Sequence, residues 1–356
     1  MSTLGDLPSE LLQYIIRLCP KWDRINIGVA DLRLWGHAMI VGETLCIYPD
    51  EENVSAVLYL LSPDVADSSK SHVADSIKHL ELSLTDDHSE SSRHLRLAVQ
   101  NARIKDRTDH YGEPLDLCGE LTRLFKQCRN IHRLTVEGAS PKFVPNRAPA
   151  RYRPWYDSRR KENKESEKQA AALLPEIIRA AKEGSAEITS VFLTRVQVHK
   201  LVAKADWQAQ LEASCGKLQK LEVQSFQSGS ASARFLKKLR SFSSIQSLRI
   251  GGPSGLDNPV PFPSPGRCPG ATGVSSFFLT DFSIVMEEIK DFLSNFRALE
   301  FVDLQGIGAV SRLEIGHDYR DIISHLEDRH AAAVSCAQGS SGCNGEYTIT
   351  RTSGGI

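Results

Sequence analysis

The stretch Leu117-Cys118-Gly119-Glu120-Leu121-Thr122-Arg123-Leu124-Phe125-Lys126-Gln127-Cys128-Arg129-Asn130-Ile131-His132-Arg133-Leu134-Thr135-Val136 changes its periodicity partway along. Leu117, Leu121, Leu124, Phe125 and Cys128 recur at intervals of three and four, which places apolar side chains on one face of a helix. From Ile131 the spacing becomes apolar-x-x-apolar-x-apolar. It ends on Leu134 and Val136, which alternate as in a strand with one buried face. A period of 3.6 giving way to a period of 2 predicts a helix followed at once by a strand.

The same unit recurs along the chain. Its strand signature appears as Ile77-Leu80-Leu82, Ile131-Leu134-Val136, Ile188-Val191-Leu193, Leu218-Leu221-Val223, Ile245-Leu248-Ile250, Val274-Phe277-Leu279 and Leu299-Val302-Leu304, with Leu45-Ile47 opening the series. The starts from Ile188 onward lie 30, 27, 29 and 25 residues apart, close to the period of leucine-rich repeats; the earlier gaps of 54 and 57 imply insertions. Helical patterns precede the strands. Leu173, Leu174, Ile177, Ile178 and Ala181 come before Ile188, and Trp207, Leu211 and Cys215 before Leu218. Phe235, Leu236, Leu239 and Phe242 come before Ile245, and Met286, Ile289, Phe292, Leu293 and Phe296 before Leu299. The expected fold class is α/β: a small N-terminal helical module followed by an irregular solenoid of alternating helices and parallel strands, similar to leucine-rich repeats. Leucine-rich repeats usually carry Asn three residues beyond the last strand position. Here those positions hold Thr85, Ala139, Val196, Phe226, Pro253, Phe282 and Ile307, so the turns must be satisfied by other means. No Gly-rich phosphate loop follows a strand, which argues against a doubly wound nucleotide-binding enzyme.

Residues 7–20 read as one short helix ending at Pro20, with Pro8 suited to the first helical position. A second helical stretch begins near Asp23, with Ile25, Val29 and Leu32 on one side. Here the chain resembles the F-box: the pattern Leu-Pro-x-Glu-Leu-Leu-x-x-Ile-Ile-x-x-Leu is carried by Leu7, Pro8, Glu10, Leu11, Leu12, Ile15, Ile16 and, one place early, Leu18. The resemblance covers about residues 4–40. It implies that Leu7, Pro8, Leu11, Leu12, Ile15 and Ile16 dock onto the Skp-type adaptor of a cullin ubiquitin ligase. The chain departs from the family at Arg24, where Leu is usual, and at Ala30-Asp31, where Val-Cys is favoured; Trp35 stands one residue late.

This gives an F-box-like module over 1–43, a helix–strand repeat region over 44–332 with insertions at 141–170 and 253–273, and a flexible Gly/Ser-rich tail over 333–356. Alternation within the strands predicts the side chains on the open sheet face, among them Glu81, Ser83, Thr135, Glu137, Phe192, Thr194, Glu222, Gln224, Arg249, Phe278, Thr280, Asp303 and Gln305. Of these, Phe192, Glu222, Arg249, Phe278 and Asp303 are the candidate substrate-binding residues, because aromatic anchors among mixed charges suit a protein partner.

Composition limits the alternatives. The 356 residues carry 43 Lys and Arg against 44 Asp and Glu, so no field of one sign steers the whole molecule to nucleic acid or an anionic membrane. No window approaches the ~18 continuous apolar residues of a membrane helix, and residues 1–20 lack a secretory pattern. The eight cysteines form no CxxC pair and no zinc-spaced quartet, which points to a reducing compartment, cytosol or nucleus. Residues 141–170 gather nine Lys and Arg with Tyr152, Trp155 and Tyr156; this reads as a solvated insertion, with a grip on RNA or an acidic peptide as the sharper alternative. Asp318 to His330 reads as a last amphipathic helix.

No GxSxG, GxxxxGK[ST] or HExxH motif occurs, so no catalytic residue, cofactor or metal is assigned and the expectation is a non-enzyme. The combination resembles the substrate-receptor subunits of Skp/cullin/F-box-type ubiquitin ligases. A protein-interaction scaffold whose head no longer docks is the alternative.

Overall fold

A computed structural model describes residues 8–19, 40–41, 43–61, 71–84, 116–138, 153–197, 217–224, 230–239, 244–252, 260–262, 273–284, 286–294, 296, 298–305, 308–309, 333–338 and 347–352. The expected helices near Asp23, Trp207 and Asp318, and Leu7 of the adaptor set, lie outside these residues. The chain divides into two compact units. The first comprises residues 1–140, 173–188 and 213–215, and the second 141–172, 189–212 and 216–356.

In the first unit, β1 (Ile40–Val41) and β2 (Thr44–Ile47) pair antiparallel, and β2, β3 (His79–Ser83) and β4 (Arg133–Glu137) run parallel in chain order. Leu45, Ile47, Leu80, Leu82, Leu134 and Val136 are buried on one sheet face, as period-two alternation requires. Besides α1 (Ser9–Leu18), the helices here are α2 (Glu51–Leu61), α3 (Ser71–Ser76), α4 (Leu117–Gln127) and the last third of α5 (Arg153–Glu183). Asp116 starts α4 by accepting a hydrogen bond from the Gly119 backbone N–H at 2.8 Å. Gln127 at the other end donates to the Leu61 carbonyl at 2.7 Å, satisfying an end group of α2. Helix α5 closes on Ser185, whose φ of 61° is left-handed. The Ser185 N–H donates to the Lys182 carbonyl at 3.0 Å and the Ala186 N–H to the Ala181 carbonyl at 2.9 Å, the paired bonds of a Schellman end.

In the second unit, β5 (Ser190–Thr194), β6 (Lys220–Gln224), β7 (Ser247–Gly251), β9 (Ser276–Thr280) and β11 (Phe301–Gln305) are parallel neighbours. Val191, Leu193, Leu221, Val223, Leu248, Ile250, Phe277, Leu279 and Val302 form its buried face. Helix α6 (Ser230–Leu239) precedes β7 and α7 (Met286–Leu293) precedes β11. Phe277 stacks on Phe296 at 5.8 Å and meets Phe292 edge-on at 5.4 Å. A small parallel sheet joins β8 (Val260–Pro261), β10 (Phe282–Ile284) and β12 (Gly308–Ala309).

Every recurring apolar triplet thus marks the approach to a parallel strand, and those of its side chains that are described lie on the buried face. A backbone motif recurs where the strands begin. At six strand starts two successive N–H groups converge on one carbonyl of an earlier turn: Lys78 and His79 on Glu43, and His132 and Arg133 on Lys78. Gln219 and Lys220 converge on Thr189, Gln246 and Ser247 on Gln219, Ser275 and Ser276 on Gln246, and Glu300 and Phe301 on Ser275, all at 2.8–3.2 Å.

Three segments carry more regular structure than the sequence announces. The solvated basic segment from Arg153 forms the first half of α5, with exposed Lys and Glu side chains reaching water from a regular helix; Ala170 and Ala171 are the first buried positions among the side chains described. The 253–273 excursion contributes a strand, β8. Within the tail, β13 (Ala333–Gln338) and β14 (Tyr347–Thr352) pair antiparallel, and β14 also pairs with β11. There Val334 and Cys336, and Tyr347 and Ile349, provide the sequence alternation that the surrounding Gly and Ser obscure.

Candidate interaction surfaces

Two surfaces carry the expected binding residues. The first is α1. Pro8 stands just ahead of the helix with φ −53° and ψ 143°, one place earlier than the first helical position expected for it. At the other end Cys19, which precedes Pro20, turns extended with ψ 144° and donates its N–H to the Ile16 carbonyl at 3.2 Å.

Between these ends, Leu11 is 52% exposed, Tyr14 65%, Ile15 36% and Leu18 69%; they are the exposed large apolar residues among those described. Their spacing of three, one and three places them along one stripe of the helix. Of the six expected docking residues, Pro8, Leu11 and Ile15 are exposed, whereas Ile16 is fully buried and anchors the opposite side. Leu12 belongs to the helix, and Leu7 lies outside the described residues. The sequence reading missed Tyr14 and Leu18, which stand three and seven residues beyond Leu11; the helical period alone could have found them.

The second surface is the open face of the second unit's sheet. Strand register carries one row across five strands: Phe192 opposite Glu222, Glu222 opposite Arg249, Arg249 opposite Phe278, and Phe278 opposite Asp303. All five candidate substrate-binding residues therefore lie side by side. Phe192, Glu222, Arg249 and Phe278 are half-buried, as expected of an open face. Asp303 is only 8% exposed and belongs to the floor of the row. Glu222 accepts a hydrogen bond from the Gln224 side chain at 2.6 Å. The Arg249 guanidinium lies over the Phe278 ring, 5.4 Å from its centroid, and Phe278 touches Phe301 at 5.1 Å. Phe301 was not among the candidates. It shares a face with Asp303 by alternation, but precedes the apolar pair that marked the strand.

The first unit's sheet bears a polar ladder instead. The His79 ring bridges Thr44 Oγ1 at 3.1 Å and Thr135 Oγ1 at 2.8 Å. Ser83 donates to Glu137 at 2.7 Å, and Cys46 to Glu81 at 3.4 Å. Burial, aided by Arg133, lowers the His79 pKa to about 4, so the ring is neutral at physiological pH. Cys46, Cys118 and Cys128 are buried free thiols, and burial pushes Cys128 up to about 12, far from a reactive thiolate. Among the described residues no three His, Cys, Asp or Glu side chains gather to hold a metal, and no helix is long and apolar enough to cross a membrane.

No known protein-family model matches the chain, and none of the curated proteins searched is detectably similar to it.

Proposed function

We propose that the protein is the substrate-recognition subunit of a Skp/cullin/F-box-type ubiquitin ligase. Its head docks the adaptor through α1, and its repeat-built solenoid holds a protein substrate on the open sheet face. The observation that carries this reading is the apolar stripe Leu11, Tyr14, Ile15 and Leu18 on a helix whose sequence bears the Leu-Pro-x-Glu-Leu-Leu pattern. Large apolar side chains held in a row at a helix surface suit burial against a partner, whereas apolar residues scattered singly need no such explanation. The protein supplies proximity and orientation, and other subunits perform ubiquitin transfer.

Co-purification with a Skp-type adaptor tests this reading, using wild type and the double variant Leu11→Asp, Ile15→Asp. Both side chains are exposed, so the fold survives, while the buried unpaired carboxylates cost the complex several kcal/mol. A wild-type complex lost in the variant supports the proposal. No wild-type complex refutes it and leaves a scaffold whose head does not dock.

A further inference from the structure

Two of the three charges along the second unit's row are occupied. Glu222 holds the Gln224 amide, and Asp303 is buried with interactions of its own. Arg249 differs. Among the described residues it pairs with no carboxylate, and its guanidinium rests on the Phe278 ring. A guanidinium held against a ring still carries N–H donors that the ring does not accept, in the fork geometry that a carboxylate accepts.

The flanking positions are small: Ser247 and Ser276 on one side of the Arg249–Phe278 pair, Gly251 and Thr280 on the other. A group approaching the fork therefore meets no bulky neighbour from these strands. Phe278 and Phe301 form an apolar shelf beside it. Phe192 stands two strands away in the same row, about 10 Å at the usual strand spacing, a span that side chains two residues (about 7 Å) apart on one face of an extended chain can reach.

We infer that this row receives an extended peptide segment of the protein partner, crossing the strands, with an acidic side chain forked onto Arg249. An extended chain sends alternate side chains to one face, so an apolar side chain two residues to one side of the acidic one rests on Phe278 and Phe301, and another two residues to the other side rests on Phe192. Rigid aromatic rings supply the contact area, and the charge-assisted pair sets position and selectivity. The inference rests on the reading of this face as the partner surface, and is independent of adaptor docking by α1.

Fluorescent peptide pools of the pattern Leu-x-Glu-x-Leu, with x randomised, test it on the full-length protein against matched pools carrying Gln or Lys in place of Glu. Wild type should retain the Glu pool about tenfold better than the Gln pool, the scale of a hydrogen bond between charged groups. Arg249→Lys keeps the charge but loses fork and stack, and should lose most of that preference; Arg249→Glu should shift retention to the Lys pool. Phe278→Ala should weaken the Glu and Gln pools alike, with thermal melts showing that each variant remains folded. Equal retention of the Glu and Gln pools, still sensitive to Phe278→Ala, overturns the acidic ligand while leaving the face a binding surface. No retention of any pool, or retention indifferent to both positions, overturns the inference and the surface reading together.

Discussion

His79 should make the first unit sensitive to mild acid. Its ring sits half-buried between Thr44 and Thr135, and the register places Arg133 on the neighbouring strand directly beside it. Burial first and Arg133 second lower its pKa from 6.5 to about 4; Glu81 opposes the shift and His132 adds to it. The folded state therefore holds a neutral ring at a pH where the unfolded chain already binds a proton. Because the unfolded chain binds more protons between these values, stability rises with pH across the window. The contribution is fully present above 6.5 and is lost as pH falls toward 4. A wholly shielded ring would contribute about 3 kcal/mol over that range; solvent screening of a half-exposed one reduces this to about 1–2 kcal/mol.

Urea unfolding followed by circular dichroism, for wild type and His79→Gln, isolates this contribution, since the carboxylates titrate in both proteins. Wild type should lose about 1–2 kcal/mol more than the variant between pH 7 and about pH 4. Parallel profiles, or a His79 ring resonance titrating near 6.5, would refute the reasoning.

Three further outcomes are expected. Gly184→Ala should cost about 1–3 kcal/mol in chemical unfolding, because a Cβ there collides with the Phe125 Cβ and crowds the Ala180 and Thr122 carbonyls. Ser185→Gly, the adjacent position, should gain about 0.5–1 kcal/mol in the same assay. It relieves left-handed strain of about 1–2 kcal/mol and returns part of that through a looser unfolded chain. Phe277→Ala should cost about 3–5 kcal/mol by emptying a fully buried site beside Phe292 and Phe296, read as a lowered denaturant midpoint.

The parallel strands were legible because each apolar triplet must place its last two side chains on one buried face, as Leu134 and Val136 do. The first half of α5 was not. Arg153 to Gln169 has no apolar stripe to announce a helix, and a helix polar on all sides looks like a solvated loop. The hairpin β13–β14 was hidden for a related reason, since its stability comes from pairing with β11 rather than from its own composition. At the candidate surfaces, period-two alternation located the row from Phe192 to Asp303. It could not reveal that Gln224 engages Glu222 while Arg249 settles on Phe278, because those choices depend on side-chain rotamers. The burial of Ile16 beside exposed Ile15 is likewise a matter of which partner covers which side of α1.

The carbonyls that each gather two N–H groups at the strand starts have a consequence for how this chain can vary. Each of these six strands takes its starting position from a single oxygen of an earlier segment, just ahead of its first ladder bond. Whatever lies between two such points is free to lengthen, because closing a longer loop adds only about 0.6 kcal/mol per doubling. A gap of 54 residues before Ile131 and one of 25 before Leu299 can therefore end in the same two-on-one join. An architecture indexed in this way can acquire or discard whole helices between strands without displacing a single residue of the face that the strands present.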